Sequence, residues 1–249
     1  MSNMIRFDPY DALPFFGYID ASTGRQERCH SLAHFYHSER LRGVDEQYRR
    51  YLMQLEDPEL FILEVEDVGI AYGDRDGWDS LQANALYAGV YMQAIANRGA
   101  YAKLINATSQ LGIADCPFSG LLAEAMGRFI TDLSERANRL RVCFIGQCSD
   151  SEFATNCMQV IFAQNQPQCL FAVEDDGCAD LISRYGQRVG SAFTQIESGM
   201  SEEAIADNIQ RRCSHVFKFS SPNETEQTRK IARLLEDAGV VVRPLAPQA

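Results

Sequence analysis

The chain has 249 residues, of which 46% are hydrophobic and 23% charged, a composition typical of a globular protein with one large or two modest domains. Its formal net charge of −11 argues against a general electrostatic attraction to nucleic acids or anionic membranes. No apolar run reaches the roughly 18 residues of a membrane span, and no apolar core follows Met1. We therefore expect a cytoplasmic protein.

The eight cysteines lie mostly inside apolar runs, and no two of them have C-x-x-C spacing. This pattern indicates reduced, buried thiols rather than a zinc ribbon, a thioredoxin-type site or a disulfide framework. We expect no disulfide, no metal and no resident cofactor.

The most informative stretch begins with an aromatic segment, LPFFGY at residues 13–18, which proline and glycine interrupt. Residues 29–41 follow, and helical periodicity places His30, His34 and His37 on one face, with aromatic rings between them. The pattern favours a loop and a helix that line a ligand pocket. A metal site is an alternative, because histidines four residues apart on a helix have ligand spacing. Ordinary core or surface histidines are the other alternative.

The order of features up to about residue 137 resembles the NADAR superfamily (YbiA-like). Its members have a short first strand, an L-S-N-F loop and a helix with the pattern S-x-E-H-Y-x-Q-A-x-K, and the similar segments here are residues 4–7, 13–18 and SLAHFYHSER at 31–40. Later features of the family resemble Trp78, a helix at 81–96, residues 104–108 and a helix at 121–136. Members are associated with cleavage of N-glycosidic bonds to ribose, in ADP-ribosylated guanine bases and in riboflavin precursors.

Two departures from the family pattern bear on catalysis. Ala33 stands where the family has its acidic residue, and Arg40 stands where it has the lysine thought to attack the ribose. Arginine stays protonated and is a poor nucleophile, although its fork of donors suits a ligand anion. The resemblance therefore implies a degenerate catalytic site that still binds ligand, with no catalytic residue assigned. The ligand-binding residues expected from it are Phe16, His34, Phe35, His37, Arg40 and Trp78.

The rest of the first half reads as mostly helical. A helix is predicted at residues 44–55, ended by Asp57-Pro58, and the apolar run at 60–65 predicts a strand before a loop at 67–77. The arginines that are close in sequence form either a local basic patch or solvated helix faces: Arg40, Arg42, Arg49 and Arg50. Residues 1–139 are thus predicted to be a mostly helical α+β domain of NADAR type.

The pattern changes near residue 139, after which strands alternate with helices. Strands are predicted at residues 141–146, 169–173, 191–196, 215–219 and 240–242. Five strands with four helical crossovers predict a small α/β domain over residues 140–249, with a doubly wound parallel sheet of flavodoxin or Rossmann type.

Ligands of such sheets bind beyond the carboxyl ends of the strands. Gly146, followed by Ser149 as the predicted helix cap, resembles a weak phosphate cradle. The acidic run Glu174, Asp175 and Asp176 after the next strand would oppose a phosphate, and an acidic surface loop is its simpler interpretation.

Three functions remain open from the sequence. The first is a sensor or accessory subunit that binds an ADP-ribosyl, NAD-related or other N-riboside nucleotide. The second is an active N-glycosidase with rearranged catalytic residues drawn from His34, Glu39 and Arg40. The third is a purely structural interaction module. No membrane partner is expected, nucleic acid is expected only as a modified base, and a homo-oligomer or protein partner would use the C-terminal domain.

Overall fold

The computed structural model describes residues 5–71, 73–106, 111–135, 139–174, 176–222 and 224–246. The chain divides into two compact units. The first contains the residues up to Gly17 and Gln26–Ser134. The second contains Tyr18–Arg25 and the chain from Glu135 onward. The second unit is therefore discontinuous in sequence, whereas the predicted domains were continuous with one boundary at residue 139.

The described residues before position 135 form ten elements. In chain order they are β1 (Ile5–Phe7), β2 (Phe15–Asp20), β3 (Arg25–Cys29), α1 (Leu32–Leu41), α2 (Glu46–Gln54), α3 (Pro58–Ala71), α4 (Trp78–Ala96), α5 (Arg98–Asn106), β4 (Leu111–Ile113) and α6 (Ser119–Ser134). Strands β1 and β4 pair in parallel, and β2 and β3 form a separate two-stranded sheet. The other elements that the structure describes before residue 135 are helices.

Helix α1 packs against both α2 and α4 in the first unit. Ser31 begins it as an N-cap, because its hydroxyl accepts the His34 backbone N–H. Nearly every residue of the helix is buried, including the charged Glu39. Phe35 packs against Gly89 of α4, where the absence of a side chain lets the two helices approach closely.

The strand predicted at residues 60–65 is wrong, because this run lies inside α3. Asp57 accepts the Glu59 N–H at 2.9 Å and Pro58 is the first residue of the helix, so the Asp-Pro pair predicted to end a helix instead starts α3, while α2 ends earlier, at Gln54. A short apolar run does not by its periodicity distinguish a buried helix from a strand.

Other boundaries also differ from the predictions. The segment 13–18 is not wholly a loop, because β2 starts at Phe15. Helix α3 continues to Ala71, into the predicted loop at 67–77, and α4 starts at Trp78 rather than at residue 81. Residues 107 and 108 of the family-like segment 104–108 lie outside the described part of the chain.

The second unit contains the predicted doubly wound sheet. Its elements are β5 (Arg141–Ile145), α7 (Ser151–Ile161), β6 (Cys169–Val173), α8 (Ala179–Val189), β7 (Ala192–Ile196), α9 (Glu202–Arg212), β8 (His215–Phe219), α10 (Glu226–Asp237) and β9 (Val242–Leu245). The strand order is β7-β6-β5-β8-β9, and all four pairings are parallel. If the strands of this sheet are numbered from 1 in chain order, their spatial order is 3-2-1-4-5. This is the strand order of Rossmann-type sheets, and it differs from the flavodoxin order 2-1-3-4-5.

The two central strands of the sheet, β5 and β6, are apolar apart from Arg141 at the start of β5. Every residue of β5 and β6 is buried, as expected for strands covered by helices on both faces. Helix α7 packs with α8, and these two helices lie in the connections from β5 to β6 and from β6 to β7. Helix α9 packs with α10, and these two lie in the connections that lead to β8 and β9. The last strand is two residues later than predicted, and its Pro244 is tolerated because β9 is an edge strand.

One helix start in the second unit was predicted at the wrong residue. Asp150, not Ser149, is the N-cap of α7, because its carboxylate accepts the Phe153 N–H at 2.9 Å. The predicted cap and the observed cap are adjacent, and both are residue types that favour this position.

Residues 18–25 are built into the second unit. The Tyr18 hydroxyl donates to the Ser191 carbonyl at 2.8 Å, and the Ile19 N–H donates to the Ser183 hydroxyl at 2.8 Å. Tyr18 and Ile19 are both buried. The tip of the β2–β3 sheet therefore completes the core beside α8.

All eight cysteines lie in the described part of the chain and are free thiols. Among the described helices, none is long and apolar enough to cross a membrane.

We expect Gly89→Ala to lower the free energy of unfolding by about 1–3 kcal/mol, because an added methyl would lie 2.7 Å from a Phe35 ring carbon and 2.8 Å from a Leu32 methyl. Chemical denaturation measures the change. Gly127→Ala on α6 is the matched control: nothing lies near its added methyl, so it should raise stability by up to about 1 kcal/mol. Equal effects of the two substitutions would contradict the close α1–α4 packing.

Candidate ligand site around helix α1

Arg40 lies in the last turn of α1 and forms an ion pair with Asp74. The Arg40 side chain is 22% exposed and that of Asp74 is 37% exposed, so the pair is open to solvent. The Arg75 backbone N–H donates to the Arg40 carbonyl at 2.9 Å, which holds the segment after α3 against the end of α1. Arg40 is thus a positioned cation at the surface of the first unit.

Aromatic side chains lie beside Arg40. The Tyr36 ring is 5.2 Å from the Trp78 ring and stacks on Phe118 at 4.3 Å, and its hydroxyl donates to Gln82 at 3.3 Å. Burial raises the pKa of Tyr36, which outweighs the lowering by the nearby Arg40 charge. Tyr36 is therefore a neutral hydroxyl, and Trp78 is enclosed under it.

His34 is fully engaged within the protein. Its Nε2 is 2.8 Å from the Leu55 carbonyl, which only accepts, so Nε2 carries the proton. Its Nδ1 is 2.8 Å from the Ser31 hydroxyl and accepts from it. Burial, opposed by the Leu55 hydrogen bond, lowers the pKa of His34 to about 4, and the ring stacks on Phe61 at 3.7 Å. This neutral imidazole has no nitrogen left for a ligand.

His37 is buried without hydrogen bonds. Among the described residues, neither ring nitrogen has a partner, and the ring contacts the edges of Tyr36, Phe61 and Phe118. Burial, with smaller contributions from the Arg40 and His34 charges, lowers the pKa of His37 to about 3. His37 is therefore neutral at physiological pH, and its two nitrogens are the unsatisfied polar atoms of the helix.

The two predicted phenylalanines lie in different environments. Phe35 is buried, with its ring 5.8 Å from that of Phe15 and close to Gly17 and Gly89. Phe16 is 59% exposed on β2. The structure thus groups His34 with His37 around Phe61, and Arg40 with Trp78 around Tyr36, and it places Phe35 and Phe16 apart from both groups.

Glu39 is held by two arginines. One carboxylate oxygen accepts from Arg42 at 2.8 Å, and the other accepts from Arg75 at 3.3 Å. Burial opposes the charge of Arg42, but the carboxylates of Glu39 and Glu27 raise its pKa above the ordinary value. Glu39 is therefore a paired anion inside the protein.

The same ion-pair network extends to α2. Arg49 is 0% exposed and donates to Glu27 at 2.5 Å, to Glu46 at 2.7 Å and to the Ser38 hydroxyl at 2.9 Å. Glu27 on β3 also accepts from Arg42 at 2.5 Å. The buried Arg49 and the partly buried Arg42 are thus structural residues rather than solvated helix faces or a basic patch.

The arrangement offers ligand contacts but no free acid–base pair on α1. Ala33 is buried and contributes only a backbone N–H, which donates to the Pro9 carbonyl at 2.9 Å. Sequence reasoning missed Asp74, which pairs with Arg40, and Arg75, which pairs with Glu39. The available signal was the similar number of acidic and basic residues in and around α1, which favours ion pairs between them.

No metal site accompanies these residues: within the described ranges, no three His, Cys, Asp or Glu side chains gather closely enough to hold an ion. No protein-family model matches the chain, and no curated protein is significantly similar to it. The NADAR resemblance therefore stays a prediction.

We expect acid pH to destabilise the protein through His37. Because its pKa is about 3 when folded and about 6.5 when unfolded, the unfolded chain binds more protons below pH 6.5. This contribution to stability is complete above pH 6.5 and is lost as the pH falls, by about 2 kcal/mol at pH 5.

Urea denaturation of the wild type, His37→Phe and His37→Gln at pH 7.5 and pH 5.0 tests this. Both variants lack the titrating group, so each should lose about 2 kcal/mol less than the wild type between the two pH values. Variants that lose as much stability as the wild type would show that His37 is not buried in its neutral form.

Proposed function

We propose that the first unit binds a phosphate-bearing N-riboside, of ADP-ribosyl or NAD-related type, at Arg40 and does not cleave it. The observation that carries the proposal is the exposed Arg40–Asp74 pair at the end of α1. Exposed ion pairs contribute only about 0–1 kcal/mol, so a ligand phosphate displaces Asp74 at low cost. The guanidinium then offers its planar fork of donors to two phosphate oxygens.

The state of the neighbouring groups supports binding without cleavage. Cleaving the bond between a nucleobase and ribose needs a nucleophile or an activated water together with a proton donor. His34 is neutral and satisfied by Ser31 and Leu55, and Glu39 is bound by Arg42 and Arg75. A rearranged N-glycosidase site would need one of these to leave its partners. The protein is accordingly proposed to act as a sensor or accessory subunit.

A purely structural interaction module is the second candidate, and one observation favours it. Leu60 and Leu63 of α3 are both more than half exposed and lie three residues apart, so they project from neighbouring positions of one helix face. Ligand titration separates the two candidates, because only the first predicts stabilisation by a nucleotide.

We expect ADP-ribose to raise the melting temperature of the wild type. In calorimetric titrations at low salt, Arg40→Ala should weaken its binding at least about tenfold through the loss of charged hydrogen bonds. Asp74→Asn should strengthen binding, since it removes the competing carboxylate. Arg98→Ala is the matched control, because Arg98 is exposed at the start of α5 and has the same charge. Absence of any ADP-ribose response, or equal losses from Arg40→Ala and Arg98→Ala, would contradict the proposal.

A further inference from the structure

The order in which strands are added to the sheet of the second unit reverses between β5 and β8. Sheets with this strand order bind nucleotides in the crevice at the reversal, beyond the carboxyl ends of these two strands. Gly146 follows β5 with a φ of +93°, and a side chain there would come within 2.6 Å of the Phe219 carbonyl at the end of β8. Only glycine fits this close approach, so the backbones at Gly146 and Phe219 lie against each other at this crevice.

Asp176, from the loop after β6, reaches into this place. The Gly146 N–H donates to one oxygen of its carboxylate, and the Thr228 hydroxyl donates to the other at 2.7 Å. Thr228 lies in the first turn of α10, next to the Thr225 cap, and α10 follows β8. Asp176 is only 8% exposed. One carboxylate therefore links the segments that follow β5, β6 and β8.

The two donors are of the kind that hold phosphate in related sheets. A backbone N–H just after the first strand and a hydroxyl in the first turn of a helix both bind phosphate oxygens at a reversal of strand order. Here the chain's own carboxylate accepts from both. Burial raises the pKa of Asp176, although the bonds from Gly146 and Thr228 oppose the rise and Glu224 adds to it.

A second carboxylate of the same loop acts similarly on the other side of β6. Glu174 accepts from the Ser198 N–H at 3.3 Å and from the Ser198 hydroxyl at 3.4 Å, just after β7. The β6–α8 loop thus supplies acceptors to both neighbouring loops, and Asp175 between these residues lies outside the described chain.

We propose that Asp176 occupies, from within the chain, the anion position of the second unit, so that its carboxyl edge holds no nucleotide phosphate while Asp176 is in place. The carboxylate satisfies the donors that a phosphate would need, and its charge repels a second anion. This inference does not depend on the proposed function of the first unit. It implies that the Rossmann-like strand order is used here as a scaffold rather than as a nucleotide site.

The experiment titrates inorganic phosphate and AMP into the full-length, ¹⁵N-labelled protein and follows the Gly146 amide resonance. In the wild type this resonance should not shift saturably at concentrations up to about 10 mM, which corresponds to negligible affinity. In Asp176→Ser the vacated donors should bind phosphate at least tenfold more tightly, with a saturable shift of the Gly146 amide. Because the readout is local, phosphate bound at Arg40 does not interfere.

Two further variants sharpen the test. Asp176→Asn keeps the shape and an acceptor for Gly146 without the charge, so it should fold and bind phosphate more tightly than the wild type but less tightly than Asp176→Ser. Thr228→Val removes the hydroxyl but keeps the carboxylate, so it should behave like the wild type. A saturable Gly146 shift in the wild type, or an Asp176→Asn variant that matches the wild type, would overturn the proposal whether or not Asp176→Ser folds.

Discussion

The buried carboxylate of Glu39 holds together the ion-pair network of the first unit. It binds Arg42, the residue that follows its own helix, and Arg75 from the segment after α3, while Arg42 and Arg49 share Glu27 of β3. Removing one member of a buried ion-pair network leaves an uncompensated charge and typically costs about 3–5 kcal/mol. The segment that carries Arg75 also carries Asp74, so this network places the partner of Arg40. The surface site is a consequence of the buried one.

The network also explains why a helix rich in titratable groups offers little chemistry. A general base must have a free lone pair and a pKa near the working pH. Glu39 is bound by two arginines, His34 has both nitrogens engaged, and the low pKa of His37 belongs to a ring enclosed by aromatic side chains. The residues of α1 that could catalyse a reaction are therefore the ones that already form stabilising contacts. In this chain the contacts favour stability.

Sequence patterns predicted the elements whose signals are local. The apolar runs at residues 141–146 and 169–173 were correctly predicted as strands, and they form the buried β5 and β6 of the parallel sheet. The error at residues 60–65 arose because a six-residue apolar run fits either structure, and the start signal at Asp57-Pro58 also fits a helix end.

What could not be predicted depends on contacts between distant residues. Glu27 pairs with arginines 15 and 22 positions away, and Tyr18 binds Ser191 at a separation of 173 residues. Asp176 looked like part of an acidic surface loop, and its burial follows only from the strand order that brings Gly146 and Thr228 to it. Local propensity contains no information about such partners.

We propose that the first unit binds its ligand without cleaving it because its charged groups are held in structural pairs. The most direct measurement is an assay of guanine-linked ADP-ribose release from DNA, with the protein in excess over the substrate and the products resolved chromatographically. The account predicts release indistinguishable from the buffer blank for the wild type, under conditions in which ADP-ribose binding is measurable. Release above the blank that disappears in folded Arg40→Ala or Glu39→Gln protein would contradict it. These residues would then act on the substrate rather than serve only in ion pairs within the protein.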